Sequence, residues 1–288
     1  MTGVLPEAKQ PLLPAGVAPQ VLRAMATPLR LLPGGLGQPR IAHKLHHRWL
    51  PAQTRPRRAR VGRATMTLDL RDTMQAEAYL LGGYELELVN FIARELAGGG
   101  RLVDVGANIG LITLPVVAAN PRIEAIAFEP HPGNAAALRA NLATNPGLRV
   151  EVREIALGAE RGQVRLTNDD AQESGWFRVA ENGGDAGVPV TMDTLDSALG
   201  PDVEVDVIKV DAEGSEPAIM RGAERILREQ RVRCLVMEVN AGHGVTAEEL
   251  ETFLARCGYR REQLPAPLGR RLRGLGHDTA VFRAVTRP

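Results

Sequence analysis

The chain predicts an α/β fold built on a doubly wound, mostly parallel sheet with an antiparallel C-terminal strand. Three observations carry that expectation. Short apolar runs of strand length alternate with longer runs of helical periodicity from about residue 64 onward. One such run, Leu102–Val105, breaks at a turn holding Gly106 and Gly110 and resumes as Leu111-Ile112-Thr113-Leu114. The next apolar run closes on an acid, Glu129, about 20 residues beyond that turn.

Each element follows in order. Residues 1–60 are dense in Pro, Arg and His and read as an N-terminal extension, partly disordered or packed as short helices. Val21, Leu22, Met25 and Leu29 fall on one helical face. Residues 61–288 form the main domain. "TMTLDL" alternates as a strand, and "YELELVNFIARELAGGG" reads as a helix closed by glycines. Leu102–Val105 is a strand, Leu111–Ala119 a helix, Ile123–Phe128 a strand, Asn134–Leu142 a helix and Leu148–Ile155 a strand. "VEVDVIKVD" is a buried strand, Glu216–Arg228 a helix and "VRCLVMEVN" another strand. Thr246 and Glu249 form a capping box before the helix of Leu250, Phe253 and Leu254. Two strand-like runs, near Tyr259 and at Thr279–Val285, end the chain. Their short connection holds no crossover helix, which predicts antiparallel pairing.

Composition excludes several classes. At 288 residues, 44% hydrophobic and 24% charged, the chain is globular rather than disordered. A net charge of +1 and an aromatic content of 3% argue against a nucleic-acid partner. Cys234 and Cys257 match no metal or CxxC spacing, and a buried reduced thiol at Cys234 fits a cytoplasmic location. No apolar stretch approaches the roughly 18 residues of a membrane span. His43, His46 and His47 lack accompanying Cys or carboxylate ligands, and the run Arg55 to Arg63 reads as a solvated basic face.

In an open sheet of this kind, ligands lie beyond the carboxyl ends of the strands. Gly106 and Gly110 let a nucleotide approach the backbone, and Glu129 is placed to accept both hydroxyls of a ribose. A nicotinamide dinucleotide and S-adenosylmethionine both fit that outline. The dinucleotide fingerprint needs a glycine where Asn108 stands, and Asp104 would repel a pyrophosphate. The Asp104 charge suits the ammonium of a methionine moiety.

Taken together, "VDVGANIGLIT", "FEPHPGN" and "IKVDAEGSE" resemble the FkbM-type S-adenosylmethionine-dependent methyltransferases, over roughly residues 64 to 286. "YLLGGYELE" is similar to the helix that leads into that family's first motif. The resemblance implies a Rossmann-like, class I methyltransferase domain acting on a hydroxyl oxygen. It also implies that Asp104, Gly106, Asn108 and Gly110 surround the methionine portion of S-adenosylmethionine and Glu129 the ribose.

Methyl transfer to an alcohol needs a group that receives the hydroxyl proton. Asp211 is the leading candidate for base or orienter, with Glu213 second; Lys209 shares a strand face with Asp211 and is expected in a structural ion pair. Glu216 is expected to complement a helix N-terminus. Asp211, Glu238 and Asn240 lack the adjacent pair of cation-dependent catechol-type enzymes, so no metal is expected. His277 is a further candidate for proton transfer, and no side chain is assigned to the adenine near Ile155-Ala156. The expected substrate is a small molecule or glycan: a sugar, lipid or secondary metabolite bearing a hydroxyl. The alternatives are a nicotinamide-dependent oxidoreductase, an RNA methyltransferase and a non-catalytic cofactor binder.

Overall fold

The computed structural model describes residues 55–168, 177–179, 187–239, 247–263 and 278–285, with four positions of an N-terminal helix, Val21, Ala24, Thr27 and Pro28. The side chains of Arg178, Glu238, Val239, Ala247 and Asp278 are outside that description. So are His43, His46, His47, Asn240, Thr246 and His277, and the remaining positions of the first amphipathic face.

The main body starts with an antiparallel hairpin, β1 (Arg57–Val61) and β2 (Ala64–Leu68). β1 reaches back across the expected boundary at residue 60. The basic run therefore includes a strand, because Ala59 and Val61 alternate inward beneath its arginines. Two helices follow, α1 (Thr73–Leu81) and α2 (Leu86–Glu95); α2 lies within the helix expected from Tyr84 onward, and α1 precedes it unexpected. The break falls at Gly82, whose φ of 77° ends α1 in a left-handed cap.

The core alternation then runs β3 (Gly100–Val105), α3 (Thr113–Ala119), β4 (Ile123–Phe128), α4 (Pro132–Ala143) and β5 (Arg149–Arg153). The next segment holds a second sheet that the sequence pattern did not reveal. Its strands are β6 (Ala156–Leu157), β7 (Gly162–Thr167), β8 (Arg178–Val179) and β9 (Val188–Asp193), in the order β6-β9-β7-β8. A short helix, α5 (Leu195–Leu199), returns the chain to β10 (Val205–Val210).

The expected helix Glu216–Arg228 is divided into α6 (Glu216–Arg221) and α7 (Glu224–Arg228). At the break, a Cβ on Gly222 would lie 2.0 Å from the Gly158 carbonyl oxygen, so only glycine permits this approach of two backbones. β11 (Val232–Val239), α8 (Ala247–Arg256), β12 (Tyr259–Arg261) and β13 (Asp278–Ala284) complete the chain.

The main sheet has the order β12-β13-β11-β10-β3-β4-β5. The pairs among β5, β4, β3, β10 and β11 are parallel, and β13 pairs antiparallel with both β11 and β12. Only β13 thus runs against the rest, which meets the expectation of an antiparallel C-terminal strand on a Rossmann-like sheet. The central strands are apolar on both faces. Leu102, Val207 and Cys234 pack with α2 and α3 on one side, while Val103, Ile208 and Leu235 face α5, α7 and α8 on the other.

Candidate active site

From β3 the chain moves to β4 and β5 on one side of the sheet, then returns to β10 and β11 on the other. Strand order reverses between β3 and β10, and that is where a sheet of this kind opens a crevice at its carboxyl edge.

The glycine turn forms one wall. The N–H groups of Gly106 and Ala107 both donate to the Phe128 carbonyl, each at 3.0 Å, and Asp211 N–H donates to the Val105 carbonyl at 3.1 Å. The turn is thereby stitched between the ends of β4 and β10. Gly106 has a φ of 76°, and a Cβ there would stand 1.9 Å from the Asp211 carbonyl oxygen. No other residue fits. Asn108 adopts a φ of 50°, a conformation asparagine tolerates better than most side chains. Among the described residues its buried Oδ1 has no hydrogen-bond partner.

Glu129 closes β4, as its place in the sequence predicts. Its Oε2 accepts from Asn108 N–H at 2.8 Å, and its Oε1 accepts from His131 N–H at 2.9 Å and from Asn134 Nδ2 at 3.5 Å. Burial pushes its pKa up to about 7, against the opposing pull of the hydrogen bonds from His131, Asn108 and Asn134. His131 in turn stacks on Phe177 of the inserted segment, ring centroids 3.8 Å apart. The insertion therefore reaches the rim of the crevice beside Glu129.

Asp104 stands differently from its expectation. Its side chain is fully buried, with Oδ1 3.2 Å from Lys209 Nζ and Oδ2 accepting the Thr113 hydroxyl. The cause is register: β3 and β10 pair with Lys209 opposite Asp104, so the two charges meet inside the protein. Lys209 Nζ also donates to the Gly106 carbonyl at 3.0 Å and lies 3.5 Å from Asp211 Oδ2. Burial works against the Lys209 charge, but Asp104, Asp211 and Glu85 outweigh it and hold its pKa above the ordinary lysine value.

Asp211 and Glu213 follow β10 at the mouth of the crevice. The Asp211 side chain is 31% exposed, and Glu213 takes a left-handed φ of 48° in the turn. Glu216 Oε1 accepts Ala212 N–H at 2.9 Å across the start of α6, in keeping with the helix-terminus role expected of it. Among the described residues no cluster of three His, Cys, Asp or Glu side chains could hold a metal ion.

Two acids were missed by sequence reasoning. Glu85 precedes α2 with a left-handed φ of 42°. Its side chain is exposed and shares the field of Asp211, Lys209, Glu77 and Asp104. Burial foremost, then the Asp211 charge, pushes its pKa up to about 7. Burial likewise raises Glu77 on α1 to about 7. Glu77 belongs to no motif, whereas Glu85 lies within "YLLGGYELE", where the paired glycines 82 and 83 were the available signal that the chain turns. Asp104, Asp211, Glu85 and Glu129 thus share the field of one cation, Lys209, with Glu77 acting on Glu85. That balance suits a positively charged ligand and disfavours a pyrophosphate.

Residues 104–261, more than half of the chain, match the family described as the methyltransferase FkbM domain. The chain belongs to that family. Methyltransferase sdnD of Sordaria araneosa is 29% identical over 190 residues, covering 55% of this chain and 73% of that protein. Among solved structures, the magnesium protoporphyrin IX methyltransferase of Synechocystis PCC 6803, with bound S-adenosylmethionine, aligns with a TM-score of 0.42 and 8% identity. It covers 69% of this chain and 79% of its own. A TehB-like S-adenosylmethionine-dependent methyltransferase of Corynebacterium glutamicum aligns with a TM-score of 0.37 and 15% identity, over 67% of this chain and 86% of its own.

This FkbM protein is therefore an S-adenosylmethionine-dependent methyltransferase, and the nicotinamide alternative falls away. Its crevice fits the cofactor on two counts: an orphaned buried acceptor at Asn108 Oδ1, and an excess of carboxylates to face a sulfonium. The matched residues begin at Asp104, so Glu77 and Glu85 lie ahead of the matched span.

Proposed function

We propose that the protein transfers the methyl group to a hydroxyl oxygen of a small molecule or glycan, the acceptor being a sugar, lipid or secondary metabolite. The observation that carries this reading is Asp211, a partly exposed carboxylate in the turn after β10, steadied on one oxygen by Lys209 at 3.5 Å. An alcohol is a poor nucleophile until a base takes its proton. Asp211 Oδ1 is left to receive that proton, with Glu213 beside it as the second candidate.

The other side chains would hold the cofactor. Glu129 spends three of about four acceptor sites on the protein, which leaves room for a ribose hydroxyl. The Gly106–Gly110 turn and Asn108 would border the methionine portion. Since Lys209 already neutralises Asp104, Glu85 is the better-placed acid for the ammonium, and Asp104 acts by holding Lys209 and, through it, the Gly106 carbonyl. When bound, S-adenosylmethionine supplies an electrophilic methyl group on a sulfonium that leaves as a neutral thioether. Alignment of acceptor oxygen, methyl and sulfur would account for much of the acceleration. Nucleic acid is not proposed as acceptor, because "DAEGSE" sets acids where a phosphate backbone would call for cations.

Asp211→Asn tests the reading. Turnover should fall by roughly 10²–10⁴-fold while S-adenosylhomocysteine affinity stays within about twofold. Mass spectrometry of the product should locate a methoxy group. Full turnover would remove Asp211 as the base, and an N- or C-methyl product would overturn the oxygen assignment.

A further inference from the structure

The near-zero net charge conceals a separation. Residues 1–63 hold eleven Lys and Arg against one acid, Glu7, whereas the rest of the chain holds 24 against 33. The end of this basic stretch is the β1–β2 hairpin. Arg58 and Arg60 point to water on its outer face, Arg58 paired across the strands with Thr67 and Arg60 with Thr65. Arg55 and Arg63 are exposed at either end of β1.

None of these four arginines forms an ion pair among the described residues. Among the described residues Arg60 and Arg63 donate only to backbone carbonyls, those of Arg63 at 3.5 Å and Ala119 at 3.1 Å. Like charges side by side on one strand face repel, and a counter-charge from outside relieves that.

We propose that this hairpin face docks on an anionic lipid bilayer. Charge complementarity to acidic headgroups is the first argument. The second is composition. The outer face offers guanidinium and hydroxyl groups but no aromatic ring on which a base could stack, which disfavours single-stranded nucleic acid. Residues 1–54, which lead directly into it, hold ten leucines among six Lys and Arg, with Trp49 the one aromatic. Position adds a consequence: Gly62 N–H donates to the Gly82 carbonyl at 2.7 Å, tying the hairpin turn to the segment that carries Glu85. The proposal stands whatever the acceptor proves to be.

The experiment is co-sedimentation of the full chain with vesicles of phosphatidylcholine alone and of phosphatidylcholine with phosphatidylglycerol, at low and high salt. Binding should require phosphatidylglycerol and weaken as salt rises. The variant Arg58→Glu/Arg60→Glu/Arg63→Glu should bind at least about tenfold more weakly, with S-adenosylhomocysteine affinity unchanged as the check on folding. The neutral set Arg58→Gln/Arg60→Gln/Arg63→Gln should show a smaller loss in the same direction. Absence of binding, equal binding by both variants, or binding to phosphatidylcholine alone would overturn the proposal. Displacement of the protein from vesicles by a short RNA at lower concentration than by soluble lipid headgroup would assign the face to nucleic acid instead.

Discussion

Lys209 lies opposite Asp104 across the β3–β10 pair, and both are withdrawn from water. Two charges in such a place persist because each is the other's partner. Removing one leaves the other desolvated and alone, which costs about 3–5 kcal/mol. Lys209→Met should therefore lower unfolding free energy by that amount in a urea titration, and Asp104→Asn added to it should recover part of the loss. A stability change under about 1 kcal/mol would mean that the pair is not buried as described. Much at this scale was legible in the sequence. Gly106, Gly110, Glu129 and Asp211 declare themselves by spacing, because a turn needs glycines and a strand end presents its last side chain to the crevice. The Asp104–Lys209 pairing was not legible, since strand order and register join residues 105 positions apart in the chain. Glu85 escaped for a similar reason: a left-handed residue between two helices leaves no periodic trace.

At the scale of elements, apolar alternation identified the strands of the main sheet, because their burial on both faces leaves continuous runs such as Val205–Val210. It failed on β6 to β9. These strands are as short as two residues, and their half-exposed faces imitate a polar loop. The helix ending at Gly82 and the break at Gly222 were likewise hidden, one closing in a left-handed cap and the other a close backbone contact with Gly158. Between elements, Glu95 at the end of α2 binds Arg233 of β11 at 2.8 Å and Arg283 of β13 at 2.8 Å. That carboxylate links a helix to both members of the antiparallel pair at the sheet's far side. Its hydrogen bonds to Arg283, and then to Arg233, hold its pKa down to about 2 despite burial.

For the whole molecule, these carboxylates pull stability in opposite directions with pH. The Glu95 contribution is present above the unfolded carboxylate value and is lost as pH falls from about 4.5 toward 2. Glu129, Glu85 and Glu77 have raised values, so their contribution is present at low pH and is lost as pH rises through about 7. The cofactor-free protein should then be more stable near about pH 5 than at about pH 3 or pH 8, as read from urea midpoints. Saturating S-adenosylhomocysteine should flatten the upper limb, because it binds the charged carboxylates. A cofactor-free protein more stable at the higher pH would show that burial of these acids is overstated.

The central claim is that an S-adenosyl nucleoside sits between the glycine turn and Glu129. Calorimetric titration of S-adenosylhomocysteine into the parent chain and into Glu129→Gln tests it most directly. Glutamine keeps an acceptor for Asn108 and loses the charge, so affinity should fall by about 1.5–3 kcal/mol, on the order of 10- to 150-fold. Equal affinity in the two proteins would place the nucleoside elsewhere and contradict the account.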